Sequence, residues 1–128
     1  MKGNKKFYIC ERCKNFVNLV DNRGGTLVCC DIEMTELTPN TVEASVEKHL
    51  PEVKVSGNEV QVEVGSVLHP MEDAHYISFI YLETENGGQY RTLKPGEEPK
   101  ATFSYVGEKP LAVYEYCNLH GLWKTEIK

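Results

Sequence analysis

The chain has 128 residues, with 14 Lys/Arg against 19 Asp/Glu and a formal net charge of −5. Residues 1–36 carry six basic and five acidic side chains and residues 37–128 carry eight and fourteen, so the balance divides as +1 and −6; such a chain argues against a nucleic-acid partner, which requires a basic face. The length suits a small module joined to a domain of about 90 residues, and five cysteines in tight motifs, an odd number, favour metal or redox chemistry over a disulfide framework.

The start, Met1-Lys2-Gly3-Asn4-Lys5-Lys6-Phe7, is basic, but no apolar run follows it. Neither a signal peptide nor a membrane span is expected, and the protein is placed in the cytoplasm. Phe7-Tyr8-Ile9 reads as a short strand running into Cys10-Glu11-Arg12-Cys13, a knuckle whose tight turn points two thiolates the same way. Fifteen residues separate Cys13 from Cys29-Cys30, with Gly24-Gly25 as the reversal point between two strands. Four thiolates in tetrahedral array suit zinc or a single iron, and geometry alone does not choose between them.

Neighbouring residues on an extended chain point to opposite faces, so the consecutive ligands Cys29 and Cys30 require a strained backbone or a distorted tetrahedron. A Cys-x-x-Cys pair followed after fifteen residues by Cys-Cys resembles desulforedoxin, a small rubredoxin-like iron protein, over residues 7–36. Lys14 and Asp31 stand where that family usually has glycine; the expected consequence is a retained iron site with altered hydrogen bonds to sulfur and a shifted potential.

Leu37-Thr38-Pro39-Asn40-Thr41 reads as a linker. The segment from Val42 to Pro51, which contains Glu47, Lys48 and His49, has no clear periodicity, and Pro51 imposes an extended exit. From Val53 onward the pattern is that of strands. Val53 and Val55, then Val60, Val62 and Val64, alternate with polar residues, and further runs follow over Tyr76–Thr84, Tyr90–Leu93, Ala101–Val106, Leu111–Cys117 and Leu122–Ile127. About seven antiparallel strands with turn signals between them predict an immunoglobulin-like β-sandwich, so the chain as a whole is expected to be mostly β.

Loops at one end of such a sandwich can gather distant ligands. His69 and His75 are six positions apart in one of them, and Cys117-Asn118-Leu119-His120-Gly121 sets a thiolate and an imidazole three positions apart, with Gly121 free to turn the backbone away. With His49 these make four imidazoles and one thiolate. That set exceeds the shell of structural or catalytic zinc. On an octahedral metal it leaves one open position, and its mixed nitrogen and sulfur donors suit iron. If the histidines lie in a plane with Cys117 on the axis, the open position is opposite the sulfur, where thiolate donation favours reduction of a small oxygen species.

Glu47-Lys48-His49, His69-Pro70-Met71 with His75, and Cys117-Asn118-Leu119-His120-Gly121-Leu122-Trp123 resemble the superoxide reductases. With the four-cysteine module added, nearly the whole chain is similar to the two-iron form called desulfoferrodoxin. The resemblance implies a desulforedoxin-like module at 1–37 and a neelaredoxin-like sandwich at 38–128. It also implies one iron on Cys10, Cys13, Cys29 and Cys30 and another on His49, His69, His75, Cys117 and His120. It implies that superoxide takes up one electron at the second, ferrous centre and leaves as hydrogen peroxide after two protonations, that a rubredoxin-like donor restores the electron, and that the chain forms a homodimer. Lys48 is then the cation that draws in the anion and helps deliver protons, and Glu47 the carboxylate that swings onto ferric iron once peroxide has left. Phe79 stands where relatives often carry tryptophan, a departure expected to affect packing more than ligation. The rival readings are a non-enzymatic two-centre iron electron carrier or redox sensor, and a zinc-binding interaction module.

Overall fold

A computed structural model of the chain describes residues 4–128; the basic start at Met1-Lys2-Gly3 lies outside the described residues. Two compact units form, Asn4–Thr38 and Pro39–Lys128.

In the first unit, β1 (Phe7–Ile9) is the middle strand of a three-stranded antiparallel sheet between β2 (Phe16–Asn18) and β5 (Thr35–Leu37). A separate ribbon pairs β3 (Val28–Cys29) with β4 (Ile32–Glu33). Gly24 adopts φ +85°, as a reversal there requires, but the strands on either side of it pair with different partners and not with each other. Few apolar residues of this unit are buried: Phe7 and Ile9 are, beside Cys10, and Phe7 packs on Phe16 with centroids 5.6 Å apart. So small a core stabilises little by itself, which leaves the cysteine cluster as the main source of order.

The second unit begins with a single helical turn, α1 (Val46–His49). Seven strands follow: β6 (Pro51–Ser56), β7 (Glu59–Val64), β8 (Ile77–Thr84), β9 (Gly87–Thr92), β10 (Lys100–Ser104), β11 (Pro110–Cys117) and β12 (Gly121–Glu126). They build two antiparallel sheets, ordered β10-β7-β6 and β12-β11-β8-β9, as expected for the sandwich. Pro51 opens β6, a position where its missing N–H is tolerated. Along β7 the valines at 60, 62 and 64 are buried while Glu59, Gln61 and Glu63 are exposed. These valines meet Ile80, Leu82, Phe103 and Val113 in the core between the sheets. At the edge the Arg91 guanidinium lies 4.9 Å above the Phe103 ring, and Thr125 Oγ1 donates to the Pro51 carbonyl at 2.7 Å.

Thr84 pairs directly with Gly87, so Glu85 and Asn86 make the reversal and Gly87 and Gly88 belong to β9. The reason is close approach: a Cβ on Gly88 would collide with the Tyr81 hydroxyl. Among the described residues no helix is long and apolar enough to cross a membrane.

Candidate metal centres

The four cysteines of the first unit converge, their sulfurs within 4.8 Å of one another. Cys13 Sγ lies 3.6 Å from Cys29 Sγ, and Cys29 Sγ lies 3.9 Å from Cys30 Sγ. Metal–sulfur bonds of ~2.3 Å in a tetrahedron place their sulfurs roughly 3.8 Å apart, so the spacing is that of a thiolate site. Two adjacent residues reach one point because Cys30 and Asp31 adopt φ +54° and +62°, which turns the backbone left-handed between them. Lys14 does the same after the first knuckle at φ +67°. Lys14 and Asp31 thus hold the conformation that glycine would adopt without strain.

Backbone N–H groups support the sulfurs. Cys13 N donates to Cys10 Sγ at 3.5 Å and Asn15 N donates to Cys13 Sγ at 3.4 Å. The Cys13 N–H holds the Cys10 thiol down to about 6, while hydrogen bonding with the Cys13 and Cys29 side chains, which favours the neutral thiol, pushes Cys30 up to about 12. That opposition is expected of thiols crowded together, which cannot all ionise without a cation among them.

At one end of the sandwich α1, the loop between β7 and β8, and the turn between β11 and β12 bring four imidazoles and a thiol together. Donor atoms of His49, His69, His75 and Cys117 all lie within 4.8 Å of one another. His120 joins them, its Nδ1 3.1 Å from His49 Nε2 and 3.9 Å from Cys117 Sγ. The rings follow the cyclic order 49, 69, 75, 120. Neighbouring centroids lie 4.7, 4.5, 5.1 and 4.9 Å apart, with planes 75° to 85° from parallel. The His49–His75 diagonal is 6.4 Å, longer than any side. This is a four-sided ring of imidazoles.

Carbonyl oxygens, which can only accept, fix two of the tautomers. His49 Nδ1 donates to the Ser45 carbonyl and His69 Nδ1 to the Pro70 carbonyl, each at 2.6 Å. Burial lowers both imidazoles, His69 to about 4, so they are neutral and each Nε2 bears a lone pair. Those two lone pairs face each other across 3.2 Å, and His75 Nε2 is buried with no hydrogen-bond partner among the described residues. Facing lone pairs repel and an orphaned buried nitrogen costs free energy unless a cation lies between them. Metal–nitrogen bonds of ~2.1 Å at right angles place neighbouring donors roughly 3 Å apart, which matches the 3.2 and 3.1 Å observed. Neutral imidazoles with one thiolate suit iron, so the residues fit the metal.

Burial pushes the Cys117 thiol up, and the N–H groups of Leu119 and His120 pull it back down. Gly121, at φ +85°, then carries the chain from this turn into β12. Trp123, on β12, stacks on His49 with centroids 5.1 Å apart and donates from Nε1 to the His120 carbonyl at 3.1 Å. Glu115, on β11 beside Trp123 in register, is fully buried; among the described residues neither of its carboxyl oxygens has a hydrogen-bond partner, and burial holds it well above the usual carboxylate range. Glu115 had no signal in the sequence beyond its place two residues before Cys117.

Glu47 and Lys48 lie on α1 with exposed side chains. The Lys48 charge is close enough to contribute to lowering both His49 and His75. The Glu47 carbonyl accepts from Val67 N at 3.0 Å and Ser66 Oγ at 3.3 Å, and a Cβ on Gly65 would come within 2.5 Å of it. The backbone at Glu47 is therefore pinned while the side chains of the pair are exposed. Phe79 stacks on its strand neighbour Tyr116, centroids 6.3 Å apart.

Comparison with known proteins gives a consistent picture. The family model described as desulfoferrodoxin matches residues 41–126, and the one described as desulfoferrodoxin, N-terminal domain, matches residues 3–37. A desulfoferrodoxin of Syntrophotalea carbinolica is 48% identical over 120 residues, 93% of this chain and 94% of the relative. The crystal structure of the superoxide reductase from Treponema pallidum superposes with TM-score 0.81 at 34% identity, covering 97% of this chain and all of that one. The one-iron superoxide reductase of Giardia intestinalis superposes with TM-score 0.57 at 35% identity, covering 64% of this chain and 98% of its own.

Proposed function

This chain belongs to the desulfoferrodoxin family, and from that premise we propose that it is a superoxide reductase, converting superoxide to hydrogen peroxide with one electron and two protons. The observation that carries the reading is the ring of four imidazoles with the Cys117 sulfur beside it. We assign residues 1–37 as the four-cysteine iron module and 38–128 as the catalytic sandwich, with His120 as the fifth ligand of the second iron through Nδ1. Iron in the ferrous state would supply the electron there and regain it from a rubredoxin-like donor.

The chain's own residues supply the rest. Burial keeps His49 and His69 neutral, so the donors need not lose protons before they bind a cation. Cys117, whose sulfur lies within 4.8 Å of the donor atoms of His49, His69 and His75, would hold the iron together with the imidazoles and leave a face of the site for a small anion. The unit around it carries an excess of acidic side chains, so an anion meets general repulsion. Lys48, whose charge reaches His49 and His75, is the local positive focus that overcomes it. Its ammonium donates to water at the open face and so orients the proton source. Glu47, anchored by its backbone and exposed at its carboxylate, swings over that face after product has left. A homodimer in a reducing, cytoplasmic compartment is part of the proposal, in keeping with five free cysteines.

Metal analysis and a superoxide pulse test the reading together. Two irons per chain are expected, with sulfur-to-iron absorption from both sites and fast oxidation of the reduced protein by superoxide. Cys117→Ser should damage the histidine centre and spare the four-cysteine centre; Cys13→Ser should do the reverse and leave superoxide reduction largely intact with an artificial reductant. Two irons with slow oxidation would indicate an electron carrier.

A further inference from the structure

His49 and His69 are each oriented by a hydrogen bond from Nδ1 to a backbone carbonyl, which leaves Nε2 facing the site. His75 is different. Its Nε2 is buried in the site, but among the described residues no hydrogen bond holds its other nitrogen, and the residue is less buried than His49 or His69. With no hydrogen bond to steer it, the ring is aimed by its backbone and by the His69 and His120 rings packed edge-on against it.

That backbone is gripped from across the site by Asn118. Asn118 Oδ1 accepts from Tyr76 N at 2.9 Å, Asn118 Nδ2 donates to the Ala74 carbonyl at 3.0 Å, and Asn118 N donates to the Tyr76 carbonyl at 3.2 Å. Ala74 and Tyr76 are the two neighbours of His75, so one carboxamide brackets the histidine on both sides. The pairing of β8 with β11 shifts register between Tyr116 and Cys117 and ends at Cys117 opposite Ile77. Asn118 continues the connection where the ladder stops. The loop keeps a local closure without it, since Glu72 and His75 exchange backbone hydrogen bonds at 2.8 and 3.0 Å. What Asn118 adds is the placement of that loop against Cys117 and His120.

We propose that Asn118 is a positioning residue that sets His75 for the metal by bracketing its backbone from the neighbouring ligand turn. The role needs a donor and an acceptor at fixed spacing on a short stem. Asparagine has both; aspartate only accepts, and alanine does neither. The inference rests on the reading of His75 as a ligand. Groups that orient metal ligands are worth about 10- to 100-fold in metal affinity.

The test is a double-mutant cycle between positions 118 and 75, read as cobalt(II) affinity at the histidine and cysteine centre of the full chain. Cobalt bound by the four cysteines serves as the internal control. Asn118→Asp, which keeps the shape and one of the two side-chain hydrogen bonds, and Asn118→Ala should each weaken cobalt binding, the latter by about 10- to 100-fold. Neither should change the four-cysteine centre, and in a His75→Ala background the cost should largely vanish. Equal cost in that background, or no loss of affinity in either variant when His75→Ala itself loses affinity, would overturn the role of Asn118 alone. If Asn118→Ala fails to fold, the Asn118→Asp arm of the same cycle decides. No loss on His75→Ala would remove His75 from the ligand set and overturn both readings.

Discussion

Trp123 lies flat against His49, their ring centroids 5.1 Å apart and their planes 24° from parallel, and its indole N–H is donated to the His120 carbonyl at 3.1 Å. One buried side chain thus restrains two neighbouring members of the imidazole ring. Trp123→Phe keeps an aromatic face and loses the hydrogen bond, so it should cost about 1 kcal/mol. Trp123→Ala loses both and leaves a cavity, at about 3–5 kcal/mol. Denaturant unfolding measures the two costs. The iron content of the histidine centre should fall in the same order; equal content in both variants would remove the indole from the support of the site.

Lys48→Ala should slow the bimolecular reaction with superoxide by about 10-fold or more and flatten its dependence on ionic strength. Iron content should not change, because the Lys48 side chain is exposed and stands outside the donor set. Pulse radiolysis across a salt series reads both the rate and the slope. An unchanged slope would assign the attraction to some other charge.

The Glu115 carboxyl is held above its ordinary range by burial, so the folded chain keeps a proton that the unfolded chain releases. Its contribution to stability is fully present below the ordinary carboxylate range and is lost as pH rises through the raised value, with a slope of up to about 1.4 kcal/mol per pH unit. Glu115→Gln has the same shape and cannot ionise. Its stability relative to the unaltered chain should therefore grow as pH is raised from 4.5 toward neutrality, measured by urea unfolding of both chains at each pH. A constant difference would mean that the carboxyl is ionised in the folded protein.

Lys14 holds φ +67° beside the four-cysteine site, in a region that costs a side-chain-bearing residue about 1–2 kcal/mol. Its exposed pairing with Glu11 at 3.2 Å offsets little of this. Lys14→Gly should raise the stability of the four-cysteine unit by about 0.5–1 kcal/mol after the extra chain entropy of glycine is counted. Lys14→Ala should give no such gain. The order of the two variants in thermal melts of iron-loaded protein checks the argument.

The amino-acid sequence alone determined the donors and their grouping. Cys10-x-x-Cys13 with Cys29-Cys30, and Cys117-x-x-His120, are local spacings, and a local spacing largely dictates which way short side chains can point. Period-two valines did the same for β7, whose alternation needs only the pleat of a strand. The helical turn at Val46–His49 carried no such period; its own backbone hydrogen bonds close it, and Ser66 and Val67 anchor it through the Glu47 carbonyl.

What only the tertiary structure decided are relationships between residues remote in the chain. Asn118 meets Ala74 and Tyr76, the two neighbours of His75, because β8 and β11 pair as far as Cys117, with a shift of register just before it. Trp123 reaches His49 because β12 folds back on β11 after Gly121. Which nitrogen of His49 and of His69 faces the metal depends on a carbonyl oxygen at the other side of each ring. A sequence names the groups that can bind a cation. Their lone pairs are aimed by packing and register, which arise only once the two sheets have closed on each other.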